Sequence, residues 1–356
     1  MLNAVIILAA ALGSVILAFA YAGLLDFITI YLERKVWGRI MQRYGPAHVG
    51  YAGLLQLISD FLKYLSKELF SPRRVMKVFY YAIPLVVIAI ITVPLILLPF
   101  DYVAISGLDG ILKLIGIKVD LTKYSISLLM DHYAPGIGLL GYVAIVALSM
   151  PLMYVLAWAQ SNKYSALAAF RTVLMLVTYE IPFLIAIAAA AILGGVSIYG
   201  IVQKQASGWF IFVNPVLALV LFIALLAESE RPPFDHPEAE QEIVHGWNIE
   251  YGAGEFILLY GLYLYSKAIY AAGLVTLLLL GGWLGPAIPG IPISLSNAIW
   301  FTIKLVAVFL VFIWVRASVA RPRVDQILEF GWFKLLILSI IALVISIALR
   351  AGGVVA

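Results

Sequence analysis

The sequence predicts an all-α integral membrane protein with eight transmembrane helices, one amphipathic helix lying in the interface, and both termini outside. Three observations predict this. Of 356 residues, 64% are hydrophobic and only 12% are charged, whereas a soluble domain is about half apolar and about a quarter charged. The excess is surface suited to lipid. Eight stretches approach the roughly 20 apolar residues that a spanning helix needs. The basic residues are also divided unequally between the two sets of connections.

The predicted spans are residues 4–31, 78–99, 136–158, 168–193, 210–228, 256–281, 298–315 and 332–349. The chain begins apolar at once, with no basic n-region and no small-residue cleavage site, so residues 1–31 are expected to be a retained first span. Sixteen Lys and Arg residues fall in the odd-numbered connections, and five fall in the even-numbered connections and the C-terminal end. The positive-inside rule then places the odd connections in the cytoplasm. The two remaining basic residues, Lys267 and Lys304, lie inside spans. No inverted internal repeat of the kind found in many secondary transporters is visible, and residues 1–356 read as a single membrane domain. The uncharged outer segment 282–297, with GPAIPGIP, reads as a tight cap over helix ends. The outer stretch 100–133 mixes Lys and Asp and is expected to hold a short helix; it suggests no role.

Composition excludes several classes of function. There is no cysteine, so disulfides and thiolate metal sites are excluded. The four histidines, His48, His132, His236 and His245, show no metal-ligand spacing, so no metal or haem site is expected. The net charge of +4 is spread over many loops and does not suggest nucleic acid.

In the first connection, YAGLLQLISDFLKYLSKELF at 51–70 places Leu54, Leu57, Ile58, Phe61, Leu62 and Leu65 at helical spacing, with Gln56, Asp60, Lys63 and Lys67 opposite. It is too charged to span and predicts an interfacial amphipathic helix. The preceding ERKVWGRIMQRYGPAHVG carries the basic cluster Arg34, Lys35, Arg39 and Arg43 and a Gly45-Pro46 turn. The cluster either sets topology and meets lipid headgroups or docks a cytosolic partner protein.

Two groups of carboxylates stand out. Glu180 lies mid-span, where an ionised carboxylate is costly, so it either takes part in an ion or proton pathway or is satisfied locally, for example by Tyr179. Lys267 and Lys304 are its natural counter-charges. The fifth connection, the third on the cytoplasmic side, AESERPPFDHPEAEQEIVHGWNIEYGAGE, sets Glu228, Glu230, Asp235, Glu238, Glu240, Glu242, Glu250 and Glu255 against a single Arg231. Asp235 followed by Glu238 resembles a capping box with Pro237 in the first turn, predicting a short helix to His245 closed by Gly246. Asp235, Glu238 and Glu242 then share one face. Either the segment 228–255 is a solvated loop whose acids favour a helix N-terminus, or Phe234, Ile243, Val244, Trp247 and Tyr251 pack it and turn its carboxylates inward. Clustered buried carboxylates titrate as a coupled set, which suits a proton relay.

These motifs, with AWAQSNKYSALAAFRTVLMLVTYEI, LLLGGWLGP and WVRASVARPRVDQILEFGW, resemble one family along nearly the whole chain: the H-type membrane subunit of NADH–quinone oxidoreductase, respiratory complex I, and of related archaeal and bacterial complexes. The departures are a longer outer stretch at 100–133 and Ser229-Glu230 before Arg231. The resemblance implies a multi-pass subunit of the cell membrane that joins a hydrophilic redox arm, with its iron–sulfur and large catalytic subunits, to antiporter-like and small membrane-arm subunits. It implies a shared chamber for a quinone substrate and a proton relay of Asp60, Glu180, Glu228, Asp235, Glu238, Glu240, Glu242 and Glu250. Arg34, Arg39 and Arg43 would face the redox arm and the chamber mouth, and Phe61, Phe234, Trp247 and Tyr251 would form apolar walls. The chain offers no ligand set for iron–sulfur, flavin or haem, so it would act only within the complex. The translocated ion would be H+ or Na+. Two alternatives remain at this point: the homologous subunit of a membrane-bound hydrogenase or ferredoxin-linked reductase that uses no quinone, and an autonomous secondary transporter.

The basic-residue asymmetry yields a topology prediction. A reporter active only in the cytoplasm, fused after Ala356, will be silent; a signal there would mean a miscounted span.

Overall fold

The computed structural model describes residues 2–68, 70–117, 120–252 and 257–353, with the side chains of 2–11, 240–241 and 257–260 outside that description. Every element among the described residues is helical. Among the described residues, seven helices are long and apolar enough to cross a membrane: Leu12–Ile40, Lys77–Leu97, Ile137–Trp158, Lys163–Gly194, Gly261–Leu279, Ile293–Ser318 and Val324–Ala351. Only helices or closed barrels satisfy their backbone groups in lipid without help from water, so an apolar chain of this length has few other choices. The chain is a multi-pass membrane protein.

The principal helices are α1 (Leu2–Ile40), α2 (Gln56–Leu65), α3 (Lys77–Thr92), α4 (Phe100–Leu114), α5 (Ile137–Trp158), α6 (Lys163–Gly194), α7 (Pro215–Glu228), α8 (Tyr265–Leu279), α9 (Ile293–Ser318) and α10 (Leu336–Ala351). α8 is the most enclosed of the spans. It lies between α9, which packs with α1 and α4, and α7, which packs with α6 and α10; α5 continues the second group from α6 to α3. α4 falls in the outer stretch 100–133 and packs against both α1 and α9.

The apolar stretch 210–228 is divided, with a single turn at Phe210–Val213 and then α7, which is 14 residues long. At 1.5 Å per residue α7 extends about 21 Å, less than a hydrocarbon core of about 30 Å. The break has a local cause. Buried Asn214 caps α7 by accepting a hydrogen bond from the Leu217 amide at 3.1 Å, and Pro215 occupies the first helical position. The Asn214 amide also donates to the Ala342 carbonyl and to Ser346 Oγ, both at 3.0 Å, so the cap ties α7 to α10.

Two element boundaries differ from those the sequence predicts. α1 runs on to Ile40, so Arg34, Lys35 and Arg39 stand on helix and not in a loop. The amphipathic element at 51–70 is a 3-10 turn, Tyr51–Gly53, followed by ten residues of α2. Its apolar side chains Leu54, Leu55, Ile58, Phe61, Leu62 and Leu65 are exposed, as an interfacial helix requires.

Lys304 has a structural role and is no counter-charge to Glu180. Its ammonium donates to the carbonyls of Leu280 at 2.7 Å, Gly282 at 3.1 Å and Leu284 at 2.6 Å. These carbonyls lie at and just beyond the C-terminal end of α8, where a cation is favourable.

Candidate functional site

The ion pairs between elements sort the molecule into two ends. Arg34–Asp60, Arg171–Glu242, Arg231–Glu33, Arg316–Glu33 and Arg321–Asp235 each join residues of the odd-numbered connections and the adjoining helix ends. Lys113 pairs with Asp109 and Asp120 at the other end. Residues from every pair of the first set except Arg34–Asp60 line a cavity of about 650 Å³ at the basic end.

One wall of this cavity is a buried cluster. Glu33, on the last turns of α1, accepts both oxygens' bonds from Arg231 at 2.6 and 2.7 Å, and also binds Arg316 from the end of α9. Arg316 lies over the Trp37 ring, 3.9 Å from its centroid, and Arg231 lies over Tyr265 at 4.2 Å. The guanidiniums are thus held between a carboxylate and an aromatic face, an arrangement that suits the planar, weakly hydrated arginine head. The opposite wall belongs to the acidic segment. Asp235 takes a bidentate bond from Arg321, and Glu242 accepts from Arg171 at 2.5 Å. Asp235, Glu238 and Glu242 all line the cavity, together with Glu230, Arg231, Trp37, Arg316 and Arg321.

The expected helix from Asp235 to His245 does not form. The Asp235 carboxylate is held by Arg321 and is not available as a cap, so the segment makes only a turn, in which the Glu238 amide bonds the Asp235 carbonyl at 3.2 Å, and a single helical turn at Glu240–Ile243. The three carboxylates still converge, because the turn folds them onto one cavity. Gly246 has a φ of +58°, and a Cβ there would stand 1.9 Å from the Pro237 carbonyl oxygen, so glycine is required where the segment closes back on itself.

The other predicted residues scatter. Glu250 accepts from the Asn162 amide at 2.6 Å, at the start of α6. Asp60 pairs with Arg34 at 2.8 Å and also accepts from Gln56, placing both on the α1–α2 contact. Arg43 lies over the Trp37 ring, 5.2 Å from its centroid, and Phe61 is exposed on α2. Neither Arg34, Arg39, Arg43 nor Phe61 is among the cavity's lining residues. Phe234, Trp247 and Tyr251 are buried in the core, Phe234 edge-on to Tyr179 and Tyr251 stacked on Tyr80 at 4.5 Å. They wall the acidic segment against the bundle and are not lining residues either. The Glu240 side chain and Glu255 lie outside the described residues.

Glu180 is partly exposed on α6 and makes no hydrogen bond or ion pair among the described residues; the Tyr179 hydroxyl also has no partner. Lys267 does not pair with Glu180. Its ammonium stands 2.8 Å from Glu230 and 2.9 Å from Glu228, and all three residues are buried. Glu228 ends α7, which packs along α6, the helix that carries Glu180.

Sequence reasoning passed over Glu33, Glu230 as a partner of Lys267, and Asp26, which lies within the α1 span facing Ser266 at 3.5 Å. The signals were present. Asp26 is an acid inside an apolar span, the same criterion that singled out Glu180, and Glu33 is the acid at the head of a basic motif.

A protein-family model described as NADH dehydrogenase matches residues 12–347. The chain is 35% identical over 349 residues to the NADH-quinone oxidoreductase H subunit of Geobacillus kaustophilus, covering 97% of this chain and 93% of that one. It is 36% identical to the protein of the same name in Dehalococcoides mccartyi, covering 93% and 84%. It is 34% identical to the F(420)H(2) dehydrogenase H subunit of Methanosarcina acetivorans, covering 90% and 88%. The chain belongs to the NADH dehydrogenase family of H-type membrane subunits. Its relatives bear the names of subunits of oxidoreductase complexes, so the resemblance carried by the motif blocks is the family relationship itself.

The acidic segment is sensitive to pH through two groups outside the spans. The Arg171 hydrogen bond holds Glu242 below its ordinary 4.5. Burial holds His236, whose ring nitrogens have no partner among the described residues, below its ordinary 6.5. Both folded values are depressed, so the unfolded segment binds more protons than the folded one between the folded and unfolded values. The stability that each group contributes is present above the unfolded value and is lost as pH falls through the folded one. Amide exchange across 232–252 will therefore accelerate first below about pH 6.5, and His236→Leu will remove that first phase while leaving the later carboxylate phase. Exchange in the wild-type complex that is independent of pH, after correction for intrinsic rates, would contradict this assignment.

Proposed function

We propose that the chain is the membrane subunit of a complex I-type oxidoreductase of the cell membrane, that its cavity at the basic end forms part of a quinone chamber, and that buried carboxylates carry the coupling of electron transfer to H+ or Na+ translocation. The basic end faces the cytoplasm and meets the redox-arm subunits; the spans meet antiporter-like membrane subunits. The observation that carries this reading is the continuity of the cavity with a buried charge chain. Glu230 both lines the cavity and contacts Lys267, Lys267 contacts Glu228, and Glu228 ends the helix that packs along α6, which carries Glu180.

The volume of about 650 Å³ lies within the usual range for small-molecule sites of about 300–1,000 Å³. Asp235, Glu238 and Glu242 converge on its wall and can hydrogen-bond a headgroup placed there. Arg231, Arg316 and Arg321 counter part of that charge and favour the anionic forms that a quinone takes up on reduction. The exposed apolar face of α2 offers an interfacial doorway for the isoprenoid tail, with Phe61 on it and Arg39 near the mouth. The chain's own part is to position the headgroup and move protons; the electrons come from redox centres in other subunits.

Two outcomes are expected. Glu180→Gln will assemble, because the amide keeps the shape of the side chain, but will lose ion pumping coupled to turnover in reconstituted vesicles. Normal pumping in the assembled variant would leave Glu180 a structural residue. A photoreactive quinone analogue will label peptides within 20–70 or 228–255 of the assembled complex, and excess natural quinone will suppress the labelling. Labelling that is absent or cannot be competed, with turnover intact on a soluble acceptor, would remove the quinone assignment and favour a ferredoxin-linked complex.

A further inference from the structure

We propose that Lys267 is a proton-transferring residue that bridges the cavity carboxylate Glu230 to the intramembrane carboxylate Glu228, so that protons pass from the chamber into the bundle through an amine and not through a continuous file of acids. It rests on the coupling role proposed above.

Geometry carries the assignment. Lys267 sits on α8, the most enclosed of the spans, and is fully surrounded by protein. Its Nζ donates to Glu230 Oε1 at 2.8 Å and to the Tyr263 hydroxyl at 3.3 Å, and stands 2.9 Å from Glu228 Oε1. Tyr263 in turn donates to Glu230 at 3.2 Å, and Met150 closes the remaining side with its sulfur 4.0 Å away. Glu230 is the one member of the cluster that lines the cavity. Its backbone takes a φ of +53° immediately after α7, in the left-handed region that a non-glycine residue adopts at a cost. That turn reverses the chain so that the carboxylate points back to Lys267 while remaining at the cavity wall. Glu228, three residues from the cavity arginine Arg231, is on the far side of the amine and belongs to α7.

One ammonium between two carboxylates leaves the buried cluster with a net charge of −1, and it accepts one proton to become neutral. A proton that reaches Glu230 from the cavity passes to Lys267 as Lys267 passes one of its own to Glu228. The cluster then holds Glu230 as carboxylate, Lys267 as ammonium and Glu228 as the protonated acid. Proton count and charge are the same before and after the step, and both transfers lie within hydrogen-bond reach. Reprotonation of Glu230 from the cavity waits until Glu228 has released its proton toward Glu180, because the cluster takes up only one proton while it stays neutral or negative.

The decisive variant is Lys267→Arg in the intact complex. Arginine keeps the positive charge between the two carboxylates but cannot give up its proton. Quinone reduction coupled to proton uptake, followed with a pH-sensitive dye in reconstituted vesicles, is expected to fall by about a hundredfold, while electron transfer to a soluble acceptor is unchanged. Wild-type coupled turnover in an assembled Lys267→Arg complex, alongside an uncoupled Glu180→Gln complex, would show Lys267 to be a fixed counter-ion and overturn the proposal while leaving the coupling role standing. Wild-type behaviour of both would remove the coupling role as well. If Lys267→Arg fails to assemble, Glu230→Gln decides: it removes the cavity end of the bridge and leaves the Lys267–Glu228 pair. Loss of coupled turnover in that variant supports the bridge, and normal turnover overturns it.

Discussion

The paired arginines on Glu33 hold the basic end of the molecule together. Glu33 comes from α1, Arg231 from the segment after α7, and Arg316 from the end of α9, so one buried carboxylate joins three distant parts of the chain. A buried charge without a partner is heavily penalised, and a buried pair is stabilising only when its geometry satisfies both groups. The two oxygens of Glu33 meet two guanidiniums, and each guanidinium also lies against an aromatic ring. The arginines that these contacts hold in place line one side of the cavity.

The same constraint explains why the acidic segment is not a solvated loop. Its carboxylates are distributed among basic partners on other elements: Asp235 to Arg321, Glu242 to Arg171, Glu228 and Glu230 to Lys267. Its apolar residues fill the core beneath, where Trp247 is fully buried and Tyr251 stacks on Tyr80. An aromatic floor fixes the backbone, and the ion pairs then fix which way each carboxylate faces. A helix across this segment would have used Asp235 as its cap; the bidentate bond to Arg321 is the stronger claim on that carboxylate, since charge-assisted pairs of this type exceed a neutral capping bond.

Dynamics and function meet at the same place. The pairs at the cavity wall are partly open to water, with Glu242 exposed by 43% and Arg171 by 22%, so they are individually weak and can rearrange when a ligand or proton arrives. The Lys267 cluster is enclosed, where electrostatic interactions are stronger and less screened. The cavity wall is thus the adjustable part of this charge network and the Lys267 cluster its fixed part.

By itself the sequence determined the class of protein. Apolar length required helices, the bias of basic residues separated two ends, and the motif blocks marked the family, because these depend on local composition and contiguous residues. It also gave a reason to expect the acidic segment packed, since apolar residues are interleaved with its acids. What only the tertiary structure decided was pairing. Nothing in the spacing of Lys267 says that it meets Glu228 and Glu230 and not Glu180, and nothing in that of Lys304 says that it caps α8 through three carbonyls. Likewise the family resemblance implied Phe234, Trp247 and Tyr251 as walls of a quinone chamber, whereas these residues are buried against the bundle and most of the residues lining the cavity are charged. Apolar burial is a property that a residue carries with it; the partner of a charge is set by which distant helix arrives beside it, and that is fixed only when the whole bundle has packed.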